Sequence, residues 1–152
     1  TVTLHPGASA VVSSGISPVG VSFRENICTG YIAQFQSFYP SLSLQCPTPS
    51  SELPLTASNL KEYGDECFDM LNVLPTCQFP ENVPQTISPA CRSFLQTALS
   101  YNGCVSRHRA ESAFFLDTWR LYLGSPEALW RNTHDAIRLL DTEGQTVDVY
   151  VY

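Results

Sequence analysis

The run Ala136-Ile137-Arg138-Leu139-Leu140-Asp141-Thr142-Glu143-Gly144-Gln145-Thr146-Val147-Asp148-Val149-Tyr150-Val151-Tyr152 reads as a complete β-hairpin. Two strand-like segments, 136–140 and 146–152, flank a turn at 141–144, with Gly144 where positive φ is needed. In the returning strand Val147, Val149 and Val151 share one face, and Asp148, Tyr150 and Tyr152 share the other. Such alternation marks a strand with two different surroundings. The same period extends upstream, where Trp119, Leu121 and Leu123 alternate with Arg120 and Tyr122 before Gly124-Ser125-Pro126 turns the chain. It recurs at the start. Val2 and Leu4 alternate with Thr1, Thr3 and His5, Pro6-Gly7 makes a turn, and residues 10–12 resume a short strand. Residues 15–22, rich in Gly, Ser and Pro, read as a linker.

Between these ends the period changes. Ile27, Tyr31, Phe35, Phe38 and Tyr39 recur every three to four residues, which predicts a helix closed by Pro40. Residues 41–57 carry Pro47, Pro49 and Pro54 and read as loop. A second helix is expected from Ser58, with Leu60, Tyr63, Cys67, Phe68 and Leu71 as its buried stripe and Pro75 as its stop. The third has the clearest signature. Ser88 caps, Pro89 suits the first helical position, Cys91, Phe94, Leu95, Ala98 and Leu99 form one face, and Asn102-Gly103 closes it. The order is β-rich, helical, β-rich. It predicts an α+β chain in which residues 1–22 and 114–152 form a discontinuous β-domain, and residues 23–113 form a cysteine-containing helical insertion of about three helices.

Composition narrows the function. The 152 residues carry 8 Lys and Arg against 14 Asp and Glu, for a net charge of −6. Phosphate backbones attract clustered cations. Here the nearest approach to a patch is Arg107 with Arg109, so nucleic acid is not an expected partner. No apolar run is long enough to span a bilayer. The chain starts without Met and shows no signal peptide, and it reads as a mature or excised piece of a longer protein.

The six cysteines, Cys28, Cys46, Cys67, Cys77, Cys91 and Cys104, all lie in the helical segment. None forms a Cys-x-x-Cys pair, which weakens zinc-ribbon and thioredoxin readings. Their even number fits three disulfides in an oxidising compartment; six buried thiols are the alternative. If Cys91 opens a helix, Cys104 lies roughly 15–20 Å away at about 1.5 Å per residue. That exceeds the limit of about 7 Å between bridged Cα atoms. With that pair set aside, a nested set is expected: Cys28–Cys104, Cys46–Cys67 and Cys77–Cys91.

The two ends together resemble one family. Residues 3–12, Thr-Leu-His-Pro-Gly-Ala-Ser-Ala-Val-Val, resemble the Leu-x-Pro-Gly strand-turn-strand segment of bacterial lamin-tail domains. Residues 130–139, Trp-Arg-Asn-Thr-His-Asp-Ala-Ile-Arg-Leu, resemble a later segment in which Trp and Asn precede an Asp leading into a strand. Residues 140–152 resemble the closing hairpin, of the type Leu-x-Asp-x-x-Gly-x-x-Val-Asp-x-x-x-Tyr. The resemblance implies a partial immunoglobulin-like β-sandwich formed by both chain ends, and a turn-shaping role for Asp135. The family's earlier strands with their Gly-Trp signature are missing. An incomplete sandwich exposes edges and an apolar face. The missing strands are then expected from an upstream segment or a second copy.

The residues offer little catalytic chemistry. His5, His108 and His134 fall in no metal-binding pattern, and neither a metal nor another cofactor is expected. Any chain with 17 serines yields a nominal Ser-His-Asp set, but there is no Gly-x-Ser-x-Gly elbow. Cys104 with His108 reads as a disulfide cysteine near a surface histidine rather than as nucleophile and base. Asp65, Glu66 and Asp69 read as a solvated face, and Asp148 as structural beside the hairpin. Trp119, Tyr122, Trp130, Tyr150 and Tyr152 are candidate binding aromatics if several share one exposed face; core packing is the competing reading.

These observations favour a non-catalytic, extracytoplasmic interaction, adhesion or assembly module over an enzyme. It would be extracellular, on the cell surface or periplasmic. Expected partners are another protein or a second copy at exposed sheet edges, or a cell-surface polysaccharide. The alternatives are a secreted hydrolase with its site between the two parts, marked by a pocket joining His108 or His134 to two acids, and a structural subunit completed by strand exchange.

Overall fold

A computed structural model describes residues 2–152. The chain is mixed α+β, with two small sheets and three disulfides. Its strands are β1 (Ser9–Ser13), β2 (Phe23–Asn26), β3 (Phe115–Tyr122), β4 (Ala136–Leu140) and β5 (Thr146–Val151). Its helices are a 3₁₀ helix (Thr29–Gln34), α1 (Pro49–Glu52), α2 (Ala57–Tyr63), α3 (Asp65–Val73), α4 (Pro89–Ala98) and α5 (Tyr101–His108).

The helical signals come through where they are local. Ser88 Oγ accepts from the Cys91 amide, Pro89 opens α4, and Cys91, Phe94, Leu95 and Ala98 are buried along one side. Asn102-Gly103 does not close this helix. Ser100 caps a new one instead, accepting from the Gly103 amide, and α5 turns back against α4. Gly103 permits this approach, because a Cβ there would lie 1.8 Å from the Thr97 carbonyl. The helix expected from Ser58 is two. Thr56, not Ser58, caps α2, and Gly64 at φ +82° separates α2 from α3. The helix expected over 27–39 reduces to the 3₁₀ helix. Asn26 Oδ1 accepts from the Cys28 amide and Thr29 Oγ1 donates to the Asn26 carbonyl. Such local side-chain bonds compete with the α-helical ladder. Phe35 and Tyr39 consequently project into solvent.

The strands also differ in part from expectation. Residues 2–5 form no strand; Thr1 lies outside the described residues. Residues 23–26, placed by sequence in the helical insertion, are a strand. In the three-stranded sheet β3 is central, parallel to β1 and antiparallel to β2. The two β-rich ends therefore do pair through β1 and β3, with Ala10 opposite Trp119 and Val12 opposite Leu121. The hairpin forms a separate two-stranded sheet, with Gly144 at φ +81° in its turn.

The core lies elsewhere. Every buried hydrophobic residue falls between Cys28 and Phe114, including all six cysteines. The segment read as an insertion is thus the packed body, and the strands are attached to it. The attachment is in large part polar, beside the edge-on contact of Phe23 with Phe38. Phe23, Glu25 and Arg120 point inward from β2 and β3, and Glu25 and Arg120 form a buried ion pair at 2.6 Å. Arg120 also donates to the carbonyls of Pro40 and Ser41, while the second Glu25 oxygen accepts from the Ser43 amide. The hairpin has no such anchor: all residues of β4 and β5 are exposed.

The cysteines are all paired. The Cys28–Cys104 bridge agrees with the nested set. The other two do not: Cys46 joins Cys77 and Cys67 joins Cys91. For Cys67 the reason is the α2–α3 break. The end of α2 packs against the start of α4, where Ser88 Oγ donates to the Tyr63 carbonyl and Tyr63 packs edge-on against Phe94, and Gly64 then starts α3 beside them. Cys67 and Cys91 then face each other with Cα atoms 5.8 Å apart.

Candidate functional site

Three features stand apart from the core: the bare hairpin, a polar cluster around His108, and a cleft beside the 3₁₀ helix.

The hairpin exposes apolar side chains on both faces. Val149 pairs with Arg138 and Val151 with Ala136, so the valine face lies with these two residues. The opposite face pairs Tyr150 with Ile137 and Asp148 with Leu139. Val147, Val151 and Tyr150 are each about two-thirds exposed, at 64%, 67% and 66%. What rigidity the hairpin has is local and polar. Asp141 Oδ1 accepts from the Glu143 and Gln145 amides, folding the turn. Asp135 and Tyr152 exchange two backbone hydrogen bonds, and the Asp135 carboxylate accepts from the Arg131 and Ala136 amides. Those two amides hold its pKa below the usual carboxylate value. Asp135 thus shapes the turn into β4. Among the described residues, Asp148 accepts from the neighbouring Val149 amide alone.

The candidate aromatics do not make one platform. Tyr150 and Tyr152 stack, with centroids 5.8 Å apart, and the Tyr152 hydroxyl donates to the Arg131 carbonyl. Trp119 and Tyr122 alternate along β3 onto opposite faces of the other sheet. Tyr122 shares the inward side with Arg120, and burial raises its hydroxyl pKa. Trp119 lies outward with Leu121, beside Ala10 and Val12 of β1. Trp130 is half-buried in the loop before β4.

His108 joins two acids. Its Nε2 lies 2.7 Å from Glu52 and its Nδ1 2.6 Å from Glu111. Arg107 adds a 2.8 Å contact to the second Glu52 oxygen and donates to the Glu52 carbonyl. Burial lowers the His108 pKa, but hydrogen bonds and charge from Glu111 and Glu52 outweigh it and raise the pKa above the usual value. Burial and the nearby Glu52 charge push the Tyr31 hydroxyl up to about 12. The cluster ties α1 to α5. Both ring nitrogens are taken by carboxylates, Cys104 is spent in a disulfide, and neither of the two best-formed clefts is lined by His108 or His134. The carboxylates sit on opposite ring nitrogens, and among the described residues no group of three His, Cys, Asp or Glu is placed to hold a metal. Asp65, Glu66 and Asp69 are exposed, as expected of a solvated face.

The cleft was not visible in the sequence. Its walls are the end of the 3₁₀ helix, residues 36–38, residues 41–44 and residues 76–78. Gly30 forms part of its floor, where a Cβ would lie 2.2 Å from Cys77 Sγ. Only glycine lets the 3₁₀ helix rest on the Cys46–Cys77 bridge. No helix among the described residues is long and apolar enough to cross a membrane. Comparison with known proteins gives no family to set beside this geometry: no family model, no curated protein and no solved structure matches the chain.

Proposed function

We propose that the chain is a non-catalytic interaction module of an extracytoplasmic compartment, assembling with other polypeptide through its β-hairpin and the outward face of the three-stranded sheet. The observation that carries this reading is the hairpin, with apolar residues on both faces and none of them buried. A two-stranded sheet without a packed face is marginal on its own. Exposed strands with apolar faces are docking templates. The outward face around Ala10, Val12, Trp119 and Leu121 is a second half-covered apolar surface. Both fit the lamin-tail resemblance, in which these strands belong to an immunoglobulin-like sandwich finished by strands from elsewhere. Three disulfides support an oxidising compartment, extracellular, surface or periplasmic.

The experiment is sedimentation of the chain across a wide concentration range, alone and with segments of its parent protein. Association is expected, and Val149→Lys or Val151→Lys weakens it without shifting the unfolding midpoint, because both positions are exposed in the free chain. A strict monomer whose hairpin amides are protected from exchange, as in a closed sandwich, refutes the proposal. The hydrolase reading has one observation in its favour, the Glu52–His108–Glu111 array. Against it, both ring nitrogens of His108 are engaged by carboxylates, and neither of the two best-formed clefts borders it.

A further inference from the structure

The cleft beside the 3₁₀ helix is independent of the hairpin. It encloses about 410 Å³, within the range of about 300–1,000 Å³ common for small-molecule sites. Its walls are largely irregular chain, yet each is held from outside. The Gln34 carboxamide grips Phe79, donating to its carbonyl at 3.1 Å and accepting from its amide at 2.7 Å. The Cys46–Cys77 bridge joins the 41–46 and 76–78 walls. Arg120 holds the Pro40 and Ser41 carbonyls, and Glu25 holds the Ser43 amide. A buried ion pair adds little net stability over apolar packing. Here its consequence is a fixed loop, and a fixed loop lowers the ordering cost of binding.

The lining chemistry selects the ligand. Polar groups come from Gln36, Gln78, Ser37, Ser41 and Thr76, and no lining residue is charged. An ionic ligand would lose its hydration without a counter-charge. Peptide recognition needs a strand edge, a continuous apolar groove, several aromatics or a cation cluster, and the cleft has none of these. A nucleobase needs a free aromatic face, but Phe38 is half-buried and packed edge-on against Phe23. What remains is a small neutral ligand rich in hydroxyls. Gln36 Oε1 is buried with no hydrogen-bond partner. The terminal torsion of a glutamine is broad and nearly two-fold, so a modest rotation offers this unused acceptor to a ligand hydroxyl.

We propose that this cleft binds a neutral saccharide, with the Gln36 carboxamide hydrogen-bonding a sugar hydroxyl and the Leu44 side chain meeting the C–H face of the ring. The test is an NMR titration of the full chain with four trisaccharides: maltotriose, cellotriose, mannotriose and the N-acetylglucosamine trimer. At least one is expected to shift the Gln36 and Gln78 side-chain amide signals below about 10 mM. Gln36→Leu weakens that binding at least about tenfold while leaving the unfolding midpoint unchanged or higher, since it removes an unpaired buried acceptor. Ala33→Trp fills the cleft and blocks the shifts; Asp69→Asn, on the exposed side of α3, leaves them intact. The proposal is overturned if no trisaccharide moves the cleft signals, if binding survives both Gln36→Leu and Ala33→Trp, or if a neutral Gly-Ser-Asn peptide moves the same signals and sugars do not.

Discussion

Replacing Arg120 by Met tests how the sheet is joined to the helical body. The Arg120 side chain is 5% exposed and that of Glu25 3%. Arg120 makes three hydrogen bonds, to Glu25 at 2.6 Å, to the Pro40 carbonyl at 2.6 Å and to the Ser41 carbonyl at 2.8 Å. Methionine fills much of the same volume but supplies no donor. Glu25 is then a buried carboxylate whose remaining hydrogen bond comes from the Ser43 amide. Removing one partner of a buried pair costs about 3–5 kcal/mol. Two carbonyls losing their donors push the cost to the upper end of that range. Against a typical stability of about 5–15 kcal/mol, the variant stays folded but loses a large share of its margin. Glu25→Leu alone strands the Arg120 cation and costs a similar amount. The double variant has no orphaned charge and sits only about 1–3 kcal/mol below the parent, the remainder being the two carbonyls and the Ser43 amide that lose their partners. Urea unfolding of all four proteins closes the cycle, with an expected coupling of at least about 2 kcal/mol. An Arg120→Met cost below about 1 kcal/mol, or a double variant as unstable as the sum of the singles, refutes the reasoning.

Other outcomes follow from the cluster and the bridges. His108 bonds carboxylates through both nitrogens, so its charged form is the one the fold favours, and its pKa is raised above 6.5. Its contribution is fully present below pH 6.5 and lost as pH rises through the higher folded value. Unfolding midpoints measured from pH 5 to 9 should therefore fall on the alkaline side in the parent, and His108→Gln should flatten that fall; an unchanged slope counts against the assignment. Paired Cys→Ala changes rank by loop length. With separations of 76, 31 and 24 residues, chain entropy assigns about 4.5 kcal/mol to Cys28–Cys104, about 3.7 to Cys46–Cys77 and about 3.4 to Cys67–Cys91. Non-reducing peptide maps should recover these three linkages and not Cys46–Cys67.

The sequence by itself determined what short-range chemistry encodes. Ser88-Pro89 and the apolar stripe behind it specify α4, and 136–152 specifies a hairpin down to the glycine in its turn. Cys91 and Cys104 are indeed not bridged to each other, although that expectation assumed one continuous helix where the chain forms α4 and α5. Each signal spans a few residues, the reach of a cap, a turn or a helical period. β2 was illegible because one of its two inward residues is Glu25, which breaks the apolar alternation and makes sense only when paired with Arg120, 95 residues later. The His108 cluster was half legible. His108 was a candidate, but Glu52 lies 56 residues away in a stretch read as loop. The 27–39 segment misled because aromatics at helical spacing are present, while Asn26 and Thr29 capture the backbone first. Only the tertiary structure decided the bridges of Cys46 and Cys67: the break at Gly64 sets Cys67 against Cys91, and Cys46 meets Cys77. It also decided that the disulfide-braced segment is the body and the strands its attachments. Burial is a property of which surfaces meet, and that is settled by packing, not by the order of residues along the chain.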